Sequence, residues 1–107
     1  MTTFDKREES FEKKYALDEE QKFKAVARRN KLLGLWAAAK LGMPDEAAKT
    51  YAGEVVAAEF GEGHEDGVVR KVLGDLMAKS VAITEAEIRA KMDELAALAA
   101  AQVKAGT

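Results

Sequence analysis

A chain of 107 residues without cysteine has room for one modest core and for neither disulfides nor thiolate metal sites. That length excludes a large catalytic architecture, and a hydrophobic share of 48%, much of it alanine with aromatics at only 7%, predicts closely packed helices. A net charge of −2 gives no global attraction to nucleic acid or to an anionic membrane, and no apolar run reaches the roughly 20 residues that span a bilayer.

The first seventeen residues differ from the rest. Eight are charged, four acidic (Asp5, Glu8, Glu9, Glu12) and four basic (Lys6, Arg7, Lys13, Lys14), and the large apolar side chains besides Met1 and Leu17 are Phe4, Phe11 and Tyr15. On a helical wheel these three aromatics fall within about 40° of one another. So thin a stripe holds no helix in a core, yet its spacing is regular. Residues 1–17 therefore read as a mobile segment that becomes helical against a partner, with 18–107 as the folded domain. Phe4, Phe11 and Tyr15 are the candidate anchors, and Arg7, Lys13 and Lys14 are candidates for charge pairing.

Asp18 begins a helix-start signal, since Gln21 three residues on completes a capping box. The apolar series Phe23, Val26, Asn30, Leu33, Ala37, Leu41 predicts a first helix over 18–41, stopped by Gly42 and Pro44. If that helix ran backward through Asp18, residues 4–41 would form a single rod of roughly 57 Å. Pro44 suits the first position of a second helix over 44–60, with Ala48, Tyr51, Ala52, Val55, Val56 and Phe60 on its apolar face. A third helix over 65–79 carries Val69, Val72, Leu73, Leu76 and Met77. The fourth, over 85–105, opens on a Thr84/Glu87 capping box with Ile83 and Ile88 at the staple positions. Ile88, Met92, Leu95, Leu98 or Ala99, and Val103 line one side of it. Four helices with short connections predict an all-α four-helix bundle or a close relative.

Catalytic chemistry has little to work with: one histidine, two serines and no Gly-rich phosphate loop. His64 lies beside Glu62, Glu65 and Asp66, which reads as a solvated helix start with acids placed for the dipole, and no metal site is expected. The basic run Lys22, Lys24, Arg28, Arg29, Lys31 reads either as a solvated helix surface or as a secondary docking or anion patch. Lys24, Arg28 and Lys31 share one side of the wheel. The run Leu32 to Ala39 is apolar all round, either the buried middle of the longest helix or a docking patch at Leu35 or Trp36. Asn30 sits in the apolar stripe as a satisfied buried polar group or an edge residue.

Three blocks carry a family resemblance: Phe4-Asp5-x-Arg7-Glu8-x-x-Phe11-Glu12-x-Lys14-Tyr15-Ala16, then Phe23-Lys24-Ala25-x-Ala27-Arg28-Arg29-Asn30-Lys31-Leu32-Leu33-Gly34-Leu35-Trp36-Ala37-Ala38, then Tyr51-Ala52-x-Glu54-Val55-Val56. The chain resembles, over essentially its full length, the zeta subunit of alphaproteobacterial F-type ATP synthases. The resemblance implies a four-helix protein, not itself an enzyme, whose N-terminal segment inhibits ATP hydrolysis by the F1 sector. It implies that this segment becomes helical when wedged into a catalytic α/β interface near γ, making the α, β and γ subunits its partners. Carried over by position, the partner-binding residues are Phe4, Asp5, Arg7, Glu8, Phe11, Glu12, Lys14 and Tyr15; the secondary docking or anion patch at Lys24, Arg28, Arg29 and Lys31 rests on the charge pattern alone. The free chain is expected to be a monomer, cytoplasmic and peripheral to the inner membrane through ATP synthase. It needs no cofactor, although weak ATP or ADP binding stays open. The alternative reading is a small helical adaptor or ligand-binding bundle with a weak adenine-nucleotide site.

Overall fold

A computed structural model describes residues 16–107. Those residues form four helices and no strand: α1 (Glu19–Lys40), α2 (Asp45–Ala58), α3 (Glu65–Ala78) and α4 (Glu85–Lys104). The expected segment 1–17 therefore lies, except for Ala16 and Leu17, outside the described residues.

Both capping boxes form. The Asp18 carboxylate accepts from the Gln21 amide at 2.8 Å, and Gln21 Oε1 accepts from the Asp18 amide at 3.2 Å. Thr84 and Glu87 exchange the same pair of bonds, and Ile88 is fully buried while Ile83 packs on the core as a staple. Pro44 is the N-cap of α2 and not its first helical residue, because its ψ of 168° is extended; its carbonyl accepts from Ala48. The second helix also stops two residues early. The amides of Glu59, Phe60 and Gly61 donate to carbonyls only three residues back, so the chain tightens into turns where the apolar pattern predicted helix.

Three helices end alike. At α1, Gly42 at φ 74° lets its own amide reach the Ala39 carbonyl and the Met43 amide reach Ala38. Gly106 does this for α4, and Ser80 for α3 at φ 60°. Each is a Schellman closure, which satisfies the last carbonyls of the helix.

Helix α1 is the hub. It packs along α2 and α4, which do not meet each other, and α3 touches all three. The main core joins Leu33, Ala37 and Ala38 of α1 to Tyr51 and Val55, to Val68, Val69, Val72 and Leu76, and to Ile88 and Met92. A smaller cluster at the N-terminal end of α1 holds Leu17, Ala25 and Ala100 with Val103 against it. The connections run four, six and six residues, a little longer than the pattern predicted, because α1, α2 and α3 each end early and α2 begins one residue late.

Three residues assigned to apolar faces are exposed instead: Phe23 (60%), Phe60 (65%) and Met77 (61%). On α4 the open choice falls to Ala99, which is buried, with Leu98 outside. In the middle of α1 only Leu33, Gly34, Ala37 and Ala38 are buried, while Leu32, Leu35 and Trp36 are half-covered. Small side chains therefore make the close contacts and leave the aromatics at the edges.

Candidate functional site

The anchor residues Phe4, Asp5, Arg7, Glu8, Phe11, Glu12, Lys14 and Tyr15 lie outside the described residues; their attachment point does not. Ala16 has φ 49°, a left-handed conformation that breaks the helical path just before α1. Leu17, 9% exposed, then tucks against Ala25, Ala100 and Val103, on the side of α1 that faces α4. Asp18 closes the capping box, so the helix stops there and residues 1–15 join the body at the end of its longest helix.

Beside this root, on the α2 side, is an open groove of about 440 Å³ whose lining includes Phe23, Val26, Val56 and Phe60. The rings of Phe23 and Phe60 stand 6.0 Å apart, tilted by 38°. Glu19, Lys22, Glu59 and His64 give it a polar rim, and Lys22 reaches Glu19 at 3.1 Å. The apolar periodicity assigns Phe23 and Phe60 to the apolar faces of their helices, yet both are exposed. The available signals were that Phe23 flanks the centre of the α1 stripe and that Phe60 immediately precedes Gly61-Glu62-Gly63.

Asn30, at the groove's inner end, is fully buried and satisfied. Its Nδ2 donates to Glu59 Oε1 at 2.8 Å and its Oδ1 accepts from Arg29 Nε at 3.1 Å. Arg29 also pairs with Glu59 at 3.0 Å and Glu65 at 3.1 Å, with only 11% of its side chain exposed. This polar cluster ties α1 to the end of α2 and the start of α3. A charged group so covered is retained through its hydrogen bonds, since burial alone opposes it.

The secondary basic patch is divided. Arg28 reaches the other way, to Gln102 at 3.1 Å and the Thr107 carbonyl at 2.6 Å; Lys24 pairs with Glu20 at 3.2 Å; Lys31 is exposed. Around His64 the carboxylates also diverge. His64 Nδ1 lies 3.0 Å from the Glu59 carbonyl, Glu65 binds Arg29, and Asp66 accepts from Arg89 at 2.9 Å. Among the described residues no group of three or more potential ligands is placed to hold a metal ion. Hydrogen bonds to Asp66 and Glu85 hold the Arg89 guanidinium above its ordinary pKa.

Two further polar clusters support the helices. The Tyr51 hydroxyl donates to Asp75 at 2.8 Å, and Lys71 joins Asp75 and Glu54, each at 3.2 Å, with its ammonium 5.2 Å from the Tyr51 ring centroid. Burial first, then the bond to Asp75, raises the Tyr51 pKa well above its ordinary value. Burial acts to lower the Lys71 pKa, but its bonds to Asp75 and Glu54 outweigh that and leave it raised. At the far end of α1, Lys40 and Lys91 lie 5.1 and 5.8 Å from the Trp36 ring centroid. No helix among the described residues is long and apolar enough to cross a membrane.

These features define a class: a small all-α domain of four helices with a charged, aromatic-bearing segment joined to the start of α1. The chain belongs to the family of ATPase inhibitor subunit zeta, whose family model matches residues 1–102 and so includes that segment. The family name describes a regulatory role. The chain is also similar to a protein with a solved solution NMR structure, at 52% identity over 79% of this chain and 96% of that one, with a TM-score of 0.69. Among curated proteins, nothing matches.

Proposed function

We propose that this protein inhibits ATP hydrolysis by the F1 sector of an ATP synthase, residues 1–15 forming a helix within a catalytic α/β interface near γ. The observation that carries this reading is the family match, which begins at residue 1 and includes the aromatic segment. Phe4, Phe11 and Tyr15 anchor that helix, and Asp5, Arg7, Glu8, Glu12 and Lys14 pair with charges on the α, β and γ subunits. The four-helix body stays outside and carries the segment on its longest helix.

Ordering the segment costs backbone entropy, and new helical hydrogen bonds, aromatic anchors and charge pairs act against that cost. A helical segment of this length spans about 22 Å. In the hydrolytic direction rotation tightens such a wedge, and in the synthetic direction it drives the wedge out.

The test is titration of the full chain into F1-ATPase lacking this subunit. Wild-type protein lowers hydrolysis, and Phe11→Ala or Tyr15→Ala shifts the titration to higher concentration while circular dichroism shows the four helices intact. Equal potency of the variants would mean that the segment does not anchor the inhibitor.

A further inference from the structure

Ala16, Leu17 and Asp18 stop α1 by three separate means. Ala16 stands in the left-handed region at φ 49°, Leu17 is 9% exposed in a cluster with Ala25 and Ala100, and Asp18 exchanges capping hydrogen bonds with Gln21. We propose that these three residues are a joint that persists when the protein is bound to F1, so that the helix formed by residues 1–15 is set at an angle to α1 and does not extend it. The inference rests on the reading under Proposed function and adds to it how the body carries the inhibitory helix.

The seat of Leu17 exists only while the joint is bent. Helices α1 and α4 run antiparallel, since Arg28 bonds to Gln102 while Trp36, further along α1, lies near Lys91. Ala25 and Ala100 share one cluster and are therefore level, and α4 ends at Lys104, about 6 Å further toward the start of α1. On an unbroken helix residue 17 would stand about 12 Å from residue 25, roughly one turn past that end. Leu17 would then leave Ala100 and Val103 for water, at the cost of its buried apolar surface.

Capping and charge act in the same direction. Asp18 belongs to the residues that most favour an N-cap and disfavour a helix interior. Glu19 and Glu20 occupy the first turn, where the positive end of the helix attracts acids, and extending the helix would remove that end. Arg28 fastens α4 to α1 through Gln102 and the Thr107 carbonyl, which holds the wall of the Leu17 seat in place. Straightening relieves the left-handed Ala16 but gives up the seat, the cap and the placement of both acids. With the joint closed, the interface alone sets the direction of the inhibitory helix, and the body needs no fixed alignment with it.

The experiment is a distance measurement between spin labels on the full chain bound to F1 lacking this subunit. The chain has no cysteine, so Thr3→Cys and Ala39→Cys place the labels uniquely, the second on an exposed position of α1. A coaxial helix puts these positions about 54 Å apart, and a bend of about 60° or more at residue 16 brings them within about 47 Å. The joint predicts the shorter separation; one at the coaxial value would overturn it. Adding Leu17→Ser and Asp18→Ala to the labelled chain should broaden the separation or shift it toward the coaxial value. An unchanged short distance there would show that F1, and not the joint, imposes the bend, and would equally overturn the proposal. Inserting two alanines between Ala16 and Leu17 leaves 17–107 intact and turns the segment by about 200° relative to the body. The joint predicts a half-inhibitory concentration within about threefold of wild type, and a rise of about tenfold or more would mean that segment and body act in fixed register. If the chain binds F1 at the shorter distance without lowering hydrolysis, the joint stands and the inhibition reading fails. If it inhibits at the coaxial distance, inhibition stands and the joint fails; if it does not bind F1, both fall.

Discussion

Gly34 and Ala52 meet backbone to backbone: a Cβ on residue 34 would lie 2.6 Å from the Ala52 Cα and 3.2 Å from its Cβ. This contact lets α1 and α2 approach closely where α1 passes between its two largest partners. Gly34→Ala should destabilise the fold by about 1–3 kcal/mol, the usual cost of overpacking, despite the better helix propensity of alanine. Gly74 is the control, since it is helical and a Cβ there meets nothing within 4 Å. Gly74→Ala should stabilise by about 0.5–1 kcal/mol in urea unfolding.

Ser80 closes α3 in the left-handed region, at φ 60°. Glycine adopts that conformation without strain, so Ser80→Gly should raise stability by about 0.5–1 kcal/mol, read as a higher melting temperature. A decrease would mean that Ser80 contributes through its side chain and not only through its backbone.

Glu59 accepts from both Arg29 and Asn30, which are 11% and 0% exposed. Glu59→Ala leaves Asn30 Nδ2 without this acceptor and Arg29 with Glu65 as its remaining carboxylate. The expected loss is about 2 kcal/mol, below the value for a fully buried pair because Glu59 keeps some contact with water. Glu59→Gln should cost less, since its amide oxygen can still accept from one of the two donors.

The Tyr51–Asp75–Lys71 cluster sets the alkaline limit. Both Tyr51 and Lys71 have folded pKa values above their unfolded ones, so each stabilises the fold fully below the unfolded pKa and loses that contribution as pH rises toward the folded value. Stability should therefore hold to about pH 10 and fall above it, where tyrosine and lysine ionise in the unfolded chain. Tyr51→Phe should cost about 1 kcal/mol at neutral pH and flatten the alkaline fall, as measured by urea midpoints between pH 8 and 11.

Much of this fold was legible because its punctuation is chemical. Asp18 with Gln21, Thr84 with Glu87, and Gly42 and Gly106 each satisfy backbone groups locally, so their positions follow from residue type. The same logic found Asn30, whose partners were unknown but whose need for them was not. Phe23, Phe60 and Met77 were misplaced for the opposite reason. Periodicity tells which residues share a face, whereas burial depends on which neighbour reaches that face; here alanines and glycine bring α1 against α2 and leave Phe23 and Phe60 at the rim, while Met77 on α3 is 61% exposed. The division of the basic run was likewise tertiary: Arg28 and Arg29 are adjacent in sequence, yet one reaches the end of α4 and the other the ends of α2 and α3.

The claim that residues 1–15 are the inhibitory element is tested most directly by removing them. The deletion should stop at Tyr15, because Leu17 packs on Ala25 and Ala100 and Asp18 caps α1. ATP hydrolysis by F1 lacking this subunit is measured with the full chain and with residues 16–107, and helix content and melting confirm that both are folded. The account predicts inhibition by the full chain and none by the shortened one. Equal inhibition by the two would contradict it and place the inhibitory surface on the four-helix body.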